Sequence, residues 1–169
     1  MIKIIKQYKK LTLLILFFIV NSCGTTYLPA TSIKNQDFKA FKYFYITPTN
    51  SLTSSYGTTN IYGQYYSSSK TINPSDEITG ILSKEGFIRL PELKNELASE
   101  TLIVNFGKSG TRETGMGGYT IEVTIQFISS ISNTLVCSCT AEGQGATEAD
   151  DIRIATTRCL NKLLYESNQ

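Results

Sequence analysis

The sequence predicts an α+β fold, a two-layer sandwich in which helices pack on one face of a mainly antiparallel sheet. Residues 119–128 and 135–141 both alternate apolar and polar side chains around a polar turn, which is typical of a hairpin with one wet face. An amphipathic helix follows, and its apolar stripe can cover the dry face of that hairpin. The length of 169 residues, of which 41% are hydrophobic and 18% charged, suits one compact domain.

The first 22 residues have the layout of a secretory signal peptide. Four lysines lie within the first ten residues, an apolar run follows over 11–20, and the small Ser22 precedes Cys23. Ten residues that rise about 1.5 Å each cover only half of a roughly 30 Å hydrocarbon core, so we expect cleavage rather than a retained membrane span. Removing the four lysines leaves 12 basic and 14 acidic residues, a net charge of −2. We therefore expect no nucleic-acid partner, because the mature chain has no basic stripe for a phosphate backbone.

Residues 20–23 (VNSC) resemble a bacterial lipobox, in which an aliphatic residue and a small residue precede an obligatory Cys. The resemblance implies that Cys23 is thioether-linked to diacylglycerol and becomes the new N-terminus. Several acyl chains on one residue hold a protein on a membrane. By resemblance to the enterobacterial sorting rule, Gly24 in place of Asp implies the outer membrane as the destination. No acidic cluster follows Cys23 to direct the protein to the cell surface, so we expect the periplasmic face.

Residues 23–37 are polar and show no periodicity, and we interpret them as a lipidated tether. Residues 38–169 then form a single α+β sandwich domain. The β-prone aromatic run that begins at Lys42 predicts the first strand. Residues 47–75 are rich in Ser, Thr, Asn, Gly and Tyr, which leaves a long hairpin and a long loop as alternatives.

The middle of the chain predicts a helix, two short elements and a buried strand. Ser75 can cap a helix whose first turn is acidic, and Gly86 ends that helix. A short strand is predicted over 87–90, a brief helix over 91–99, and a strand over 101–106.

The second hairpin and the last helix should form the two packed layers. The dry face of the hairpin is predicted to carry Tyr119, Ile121, Val123, Ile125, Phe127, Leu135, Cys137, Cys139 and Ala141. Thr147, with Asp150 three residues later, resembles a capping box. The stripe of the following helix is made of Ala149, Ile152, Ala155, Thr156, Cys159, Leu160, Leu163 and Leu164.

Several of these features together resemble a group of small bacterial lipoproteins, similar to those of Bacteroidota, that share a domain of unknown function. They are the lipobox, an early aromatic strand, a long central hairpin, and residues 142–155 (EGQGATEADDIRIA) before an amphipathic helix. The likeness is best over residues 101–165. It implies a fold and a location, and it carries no catalytic residue across.

The chain contains no His, which excludes Ser-His-Asp and Cys-His catalysis and His-ligated metal sites. The Gly-rich residues 107–118 predict a loop between strands, although the GKS at its start is similar to the end of a phosphate-binding loop. The earlier Gly and the following helix of that motif are missing, so we place Lys108, Arg112 and Glu113 in solvent. Most of the acidic residues lie at helix starts or on exposed helix faces, where capping and solubility explain them, and Glu122 lies on the polar face of a strand. We therefore expect no catalytic residue, no metal and no cofactor.

Three cysteines remain besides Cys23, and two interpretations of them stay open. Cys137 and Cys139 face inward on the predicted hairpin, and Cys159 lies on the inward stripe of the last helix. Either Cys139 or Cys137 is close enough to form a disulfide with Cys159, or all three are buried thiols that act as small apolar residues. The Cys-x-Cys spacing does not fit a zinc site.

The tyrosine-rich stretch is the best candidate for ligand binding. Tyr56, Tyr62, Tyr65 and Tyr66 can stack on sugars or pack against a protein, and the alternative is a surface hairpin that covers its own sheet. Our main hypothesis is a non-enzymatic lipoprotein that serves as an adaptor or structural component of the cell envelope and binds an envelope protein. The second hypothesis is a glycan- or peptidoglycan-binding module that uses residues 47–75.

Overall fold

A computed structural model describes residues 27–115 and 118–165. The predicted signal peptide, the lipobox and Cys23 lie outside the described residues. The strands are β1 (Thr31–Lys34), β2 (Tyr43–Ile46), β3 (Leu52–Thr59), β4 (Tyr65–Ile72), β5 (Ile88–Arg89), β6 (Thr101–Gly115), β7 (Gly118–Ser129) and β8 (Leu135–Gly143). The helices are α1 (Pro74–Lys84) and α2 (Glu148–Tyr165), with 3-10 turns at Phe38–Ala40 and Asn95–Glu100.

The structure confirms the predicted α+β sandwich. Six strands form one sheet in the order β1-β8-β7-β6-β2-β5, and β3 and β4 form a separate two-stranded sheet. In the large sheet β2 pairs in parallel with β5 and with β6, and the other three pairs are antiparallel, so the sheet is mainly antiparallel. Helix α2 packs on β7 and β8, and α1 lies beside α2. The other face of the large sheet has no helix on it within the described residues.

The core lies between α2 and the central hairpin, as the sequence periodicity predicts. Ile121, Val123, Ile125 and Phe127 on β7 are fully buried, and they alternate with the half-buried or exposed residues of the opposite face. All eight residues predicted for the stripe of α2 are buried as well. The period of two in the strand and the helical period in α2 therefore describe one interface.

The prediction for Leu135 is wrong. Phe127 pairs with Cys137, but the next residue, Ile128, pairs with Leu135, so Val136 is an extra residue in β8. Such a β-bulge changes the face of the sheet to which the residues beyond it point. Leu135 therefore shares the open face with Ile128, and Val136 is buried instead.

The prediction for Tyr119 at the start of β7 is wrong as well. The pairing of β7 with β8 begins only at Ile121, so Tyr119 lies beyond the part of the hairpin that α2 covers. Its side chain is accordingly exposed. The strand pattern alone does not show where the covering helix ends.

The prediction of a loop over residues 107–118 is also wrong. Strand β6 continues to Gly115 and pairs with β7 over its whole length, with register shifts at Lys108/Gly110 and Glu113/Gly115. Because glycines and bulges interrupt the alternation of side chains, the strand pattern is hidden in the sequence.

The described part of the stretch interpreted as a tether, residues 27–37, is bound to the rest of the fold. Its residues Thr31–Lys34 form β1, an edge strand that pairs antiparallel with β8. The four side chains of β1 are exposed, so the strand has no apolar periodicity from which it could be predicted. Pairing with β8, and not intrinsic propensity, makes this segment a strand.

The ends of α1 differ slightly from the prediction. The N-cap is Asn73, whose Oδ1 accepts a hydrogen bond from Ser75 N at 3.1 Å, and Ser75 lies buried inside the first turn. Gly86 follows the helix with φ +91°, a left-handed conformation that favours Gly. The brief helix expected over 91–99 is the 3-10 turn Asn95–Glu100.

Candidate functional site

Tyr27 and Leu28 are held against the end of β8. Leu28 N donates a hydrogen bond to Glu142 Oε2 at 3.0 Å, and Tyr27 OH donates to the carbonyl oxygen of Gln144 at 3.1 Å. The guanidinium of Arg158 on α2 lies 4.3 Å from the centre of the Tyr27 ring and donates to Leu28 O at 3.0 Å. We call these five residues the Tyr27 clamp. It lies at the end of the domain where β8 finishes and α2 begins, which we call the Tyr27 end.

An ion pair between the half-exposed Arg112 and the buried Glu142 supports the Tyr27 clamp. Arg112 Nε and Nη2 donate to Glu142 Oε1 and Oε2 at 2.7 and 2.6 Å, and the Glu142 side chain is only 5% exposed. Hydrogen bonds from Arg112, and next from Leu28 N, outweigh the effect of burial and lower the pKa of Glu142 to about 2. Glu142 is therefore an anion that binds the N-terminal segment, and Arg112, which was expected in solvent, has a side chain that is 40% exposed but pairs with this carboxylate.

The two glycines in the connection from β8 to α2 (EGQGAT, residues 142–147) are required by close packing. A Cβ atom on Gly143 would overlap the carbonyl oxygen of Asp151 and lie 2.6 Å from Ala155 N. Gly145 N donates to the buried Asp151 carboxylate, whose pKa is raised chiefly by burial. Thr147 Oγ1 accepts a hydrogen bond from Asp150 N at 3.2 Å and so caps the helix start. These contacts are structural, and they fix the start of α2 beside the Tyr27 clamp.

Strands β3 and β4 form a hairpin that contacts the rest of the domain near its base. Ser54 Oγ accepts a hydrogen bond from Ala149 N at 2.9 Å. Lys70, the cross-strand partner of Ser54, pairs with Asp150 at 2.8 Å and lowers the pKa of that carboxylate. We call residues 52–72 the tyrosine hairpin.

The turn of the tyrosine hairpin is organised by Asn60. Its Oδ1 accepts hydrogen bonds from Tyr62 N and Gln64 N, both at 2.9 Å, and its own N donates to Gln64 O at 2.9 Å. Gly63 has φ +76°, a conformation that other residues rarely adopt. The turn thereby presents Ile61 and Tyr62 outward, with 92% and 83% of their surface exposed.

The four tyrosines predicted for binding do not share one face. In the register of the hairpin, Tyr56 and Tyr66 lie on the face that also carries Ser54 and Lys70. Tyr65 lies on the opposite face and crosses the position that a Gly57 side chain would occupy. Tyr62 lies at the tip. The tyrosines therefore surround the outer half of the hairpin rather than forming one flat platform.

A disulfide joins the two layers of the fold. Cys139 on β8 and Cys159 on α2 are bonded, with their Cα atoms 5.3 Å apart. Cys137 is a buried free thiol, and burial raises its pKa to about 12, so it is not a nucleophile at neutral pH. Cys23, the predicted lipidation site, lies outside the described residues.

One cavity of about 360 Å³ lies at the end of the domain opposite the Tyr27 end. It is lined by Lys39, Ala40, Phe41, Lys42, Glu85, Gly86, Phe87 and Leu164 and is open to solvent. Glu85 accepts a hydrogen bond from Tyr165 OH.

Within the described residues, no three His, Cys, Asp or Glu side chains are grouped to hold a metal ion, and no helix is long and apolar enough to cross a membrane.

The fold and the site define a two-layer α+β domain whose N-terminal segment is bound at one end, beside a projecting hairpin. No family model and no curated protein matches this chain. Among solved structures, the chain is similar to a dodecamer of a PelC variant from Paraburkholderia phytofirmans, at 16% identity and a TM-score of 0.42, over 76% of this chain and 88% of that chain. A likeness at this level carries no information on function.

Proposed function

We propose that the chain is a lipoprotein, anchored through acyl chains on Cys23 to the periplasmic face of the outer membrane, and that it is a non-enzymatic adaptor or structural component of the envelope. The observation that carries the proposal is that the lipobox-like residues 20–23 end only four residues before Tyr27, which is bound to the domain through Gln144. Four residues span at most about 14 Å, so acyl chains on Cys23 keep the domain close to the bilayer surface.

The adaptor role is supported by the open face of the large sheet. Tyr45, Ile103, Ile128 and Leu135 are cross-strand partners in one row that runs from β2 to β8. All four side chains are half-buried, and within the described residues no element covers this face. A contiguous apolar row on a sheet surface is typical of a protein-binding site.

The adaptor role is tested by crosslinking in cells followed by mass spectrometry of a C-terminally tagged protein. Wild type, Cys23→Ala and the control Cys137→Ala are compared, together with membrane fractionation. We expect wild type and Cys137→Ala to co-purify with the same envelope protein, and Cys23→Ala to lose both that protein and the membrane fraction. Membrane location without any crosslinked protein contradicts the adaptor role.

A second candidate is a glycan- or peptidoglycan-binding module that uses residues 47–75. The exposure of Tyr62, Tyr65 and Tyr66 favours it, because exposed aromatic rings stack on sugars. A glycan array compares wild type with the triple substitution of these tyrosines by Ala, which leaves the buried base of the hairpin intact. Binding that disappears in the variant supports this candidate, and identical profiles remove it.

A further inference from the structure

The outer part of the tyrosine hairpin is uncharged and carries a group of large exposed side chains at its tip. Residues 43–69 contain no Asp, Glu, Lys or Arg. At the tip, Ile61, Tyr62, Tyr65 and Tyr66 all have more than half of their surface exposed. A large apolar group held in solvent by an ordered turn indicates a surface that is covered in the functional state.

The base of the hairpin lies against the first turn of α2. Glu77 near the start of α1 pairs with Arg153 of α2 at 3.6 Å, whereas Lys70 on β4 pairs with Asp150 in the first turn of α2 at 2.8 Å. Ser54, opposite Lys70 on β3, also accepts a hydrogen bond from Ala149 N, so both strands of the hairpin are attached at the start of α2. The tip lies roughly 17 Å further on, because the five residues back to Tyr65 rise about 3.3 Å each.

Tyr27 and Leu28 are also held close to the start of α2. Tyr27 is bound to Gln144, which lies in the short connection between β8 and the start of α2. Cys23 is at most about 14 Å from Tyr27 along the chain. The reach of the anchor and the projection of the hairpin are therefore similar, so acyl chains on Cys23 and the hairpin tip can meet one surface.

The construction of the tip suits a lipid bilayer better than a sugar or a flat protein surface. Tyrosines on both faces of the hairpin, with Ile61 at its tip, offer an apolar surface in every direction. The Asn60 side chain and backbone pair the N–H groups of Tyr62, Gly63 and Gln64 within the turn, and backbone groups that enter a membrane need such partners. Tyr side chains are favoured at the level of the lipid headgroups.

We propose that the tip of the tyrosine hairpin inserts into the interfacial layer of the same phospholipid leaflet that holds the acyl chains of Cys23. The inference rests on the proposed function, because the lipid anchor brings this end of the domain to the bilayer. Two attachments, one covalent and one through the hairpin, fix the orientation of the domain. The open face of the large sheet then stands away from the lipid, free for a protein partner.

The test uses the absence of Trp from the chain, since one introduced Trp is a unique fluorescent probe. The full protein with Tyr62→Trp is reconstituted through its own anchor into phosphatidylethanolamine–phosphatidylglycerol vesicles with brominated acyl chains. Tyr165→Trp, at the far end of α2 and 64% exposed, is the matched control. We expect a blue shift and a loss of emission for Tyr62→Trp alone, and we expect Ile61→Asp to abolish both effects in the Tyr62→Trp background.

The other outcomes overturn the proposal. Unquenched Tyr62→Trp in protein that mass spectrometry shows to be acylated overturns the hairpin contact and leaves the lipoprotein assignment intact. Equal quenching of both probes overturns the orientation. A response to soluble peptidoglycan fragments, without quenching by bromine, assigns the hairpin to a glycan instead. If no acyl chain is found, the proposed function fails, and added vesicles still decide whether the tip binds lipid.

Discussion

Glu142 accepts hydrogen bonds from Arg112 and from Leu28 N while only 5% of its side chain is exposed. A carboxylate in this position is favourable only while its partners remain, because an unpaired buried charge is costly. Glu142 therefore links the ends of β6 and β8 to the N-terminal residues that it binds, and loss of one contact weakens the other.

The Glu142→Gln variant should be less stable than wild type at pH 7 by about 2 kcal/mol, because it loses charge-assisted hydrogen bonds. Since Arg112 holds the folded-state pKa of Glu142 at about 2, below the ordinary 4.5, the unfolded chain takes up the proton first as the pH falls. The stability from Glu142 is thus complete above about pH 5 and lost towards pH 2. Urea titrations at a series of pH values measure it.

The control for this variant is Glu122→Gln, which removes a carboxylate from the residue that pairs directly opposite Glu142 on β7. The control should keep the wild-type fall in the free energy of unfolding between pH 5 and 2, and Glu142→Gln should show a smaller fall. Equal pH profiles for wild type and Glu142→Gln would contradict the role assigned to this carboxylate.

Individual polar contacts were the least predictable feature of the sequence. The ion pair between Glu142 and Arg112 joins two strands whose register cannot be predicted from the sequence. The only indication of this pair in the sequence was an acidic residue that belongs to no helix. Asn73 and Ser75 are both good cap residues, and only the geometry decides that Asn73 caps α1. The tyrosines were recognised as exposed aromatics, but their distribution over two faces depends on the hairpin register.

At the scale of elements, the disulfide between Cys139 and Cys159 ties β8 to α2 across 20 residues. A loop of this length makes the cross-link worth about 3 kcal/mol. The Cys139→Ser, Cys159→Ser double variant should therefore unfold at clearly lower urea concentration than oxidised wild type, and reductant should change wild type but not the variant. Cys137→Ala should keep the sensitivity to reductant. Alkylation of all three cysteines in native, unreduced protein would refute the bridge.

The contact between the end of β8 and α2 is tested by a pair of glycine substitutions with opposite expected signs. Gly143→Ala should lower the free energy of unfolding by about 2 kcal/mol, because its Cβ would collide with the α2 backbone. Gly80→Ala should raise it by about 0.5–1 kcal/mol, because no atom lies within 4 Å of its Cβ in helix α1. Denaturant titrations of both variants measure these changes in the free energy of unfolding. A Gly143→Ala variant as stable as wild type would contradict this packing.

Elements with a clear period were predicted well, and those without one were not. The alternation in β7 and the stripe of α2 identified the packed layers because both patterns reflect burial. Strand β1 is an exposed edge, and the second half of β6 is interrupted by glycines, so neither shows an apolar pattern. Both exist because a neighbouring strand offers hydrogen bonds, which is a property of the assembled sheet.

At the scale of the whole molecule, the two ends of the domain differ in the features that they carry. The Tyr27 clamp and the base of the tyrosine hairpin both lie near the start of α2, and the solvent-open cavity is lined by Leu164 near the end of α2. An anchor on Cys23 would orient this domain as well as retain it. Residues Thr31–Lys34 form a bound strand rather than part of a free tether, so an anchor on Cys23 would give the domain a short reach from the bilayer.

Lipidation of Cys23 is tested most directly by intact-mass spectrometry of the protein extracted from membranes. We expect wild type to begin at Cys23 and to exceed the mass of residues 23–169 by a diacylglycerol and its acyl chains. The Cys23→Ala variant should keep residues 1–22 and carry no lipid. A wild-type chain that retains residues 1–22, or that begins elsewhere with Cys23 unmodified, would contradict the account.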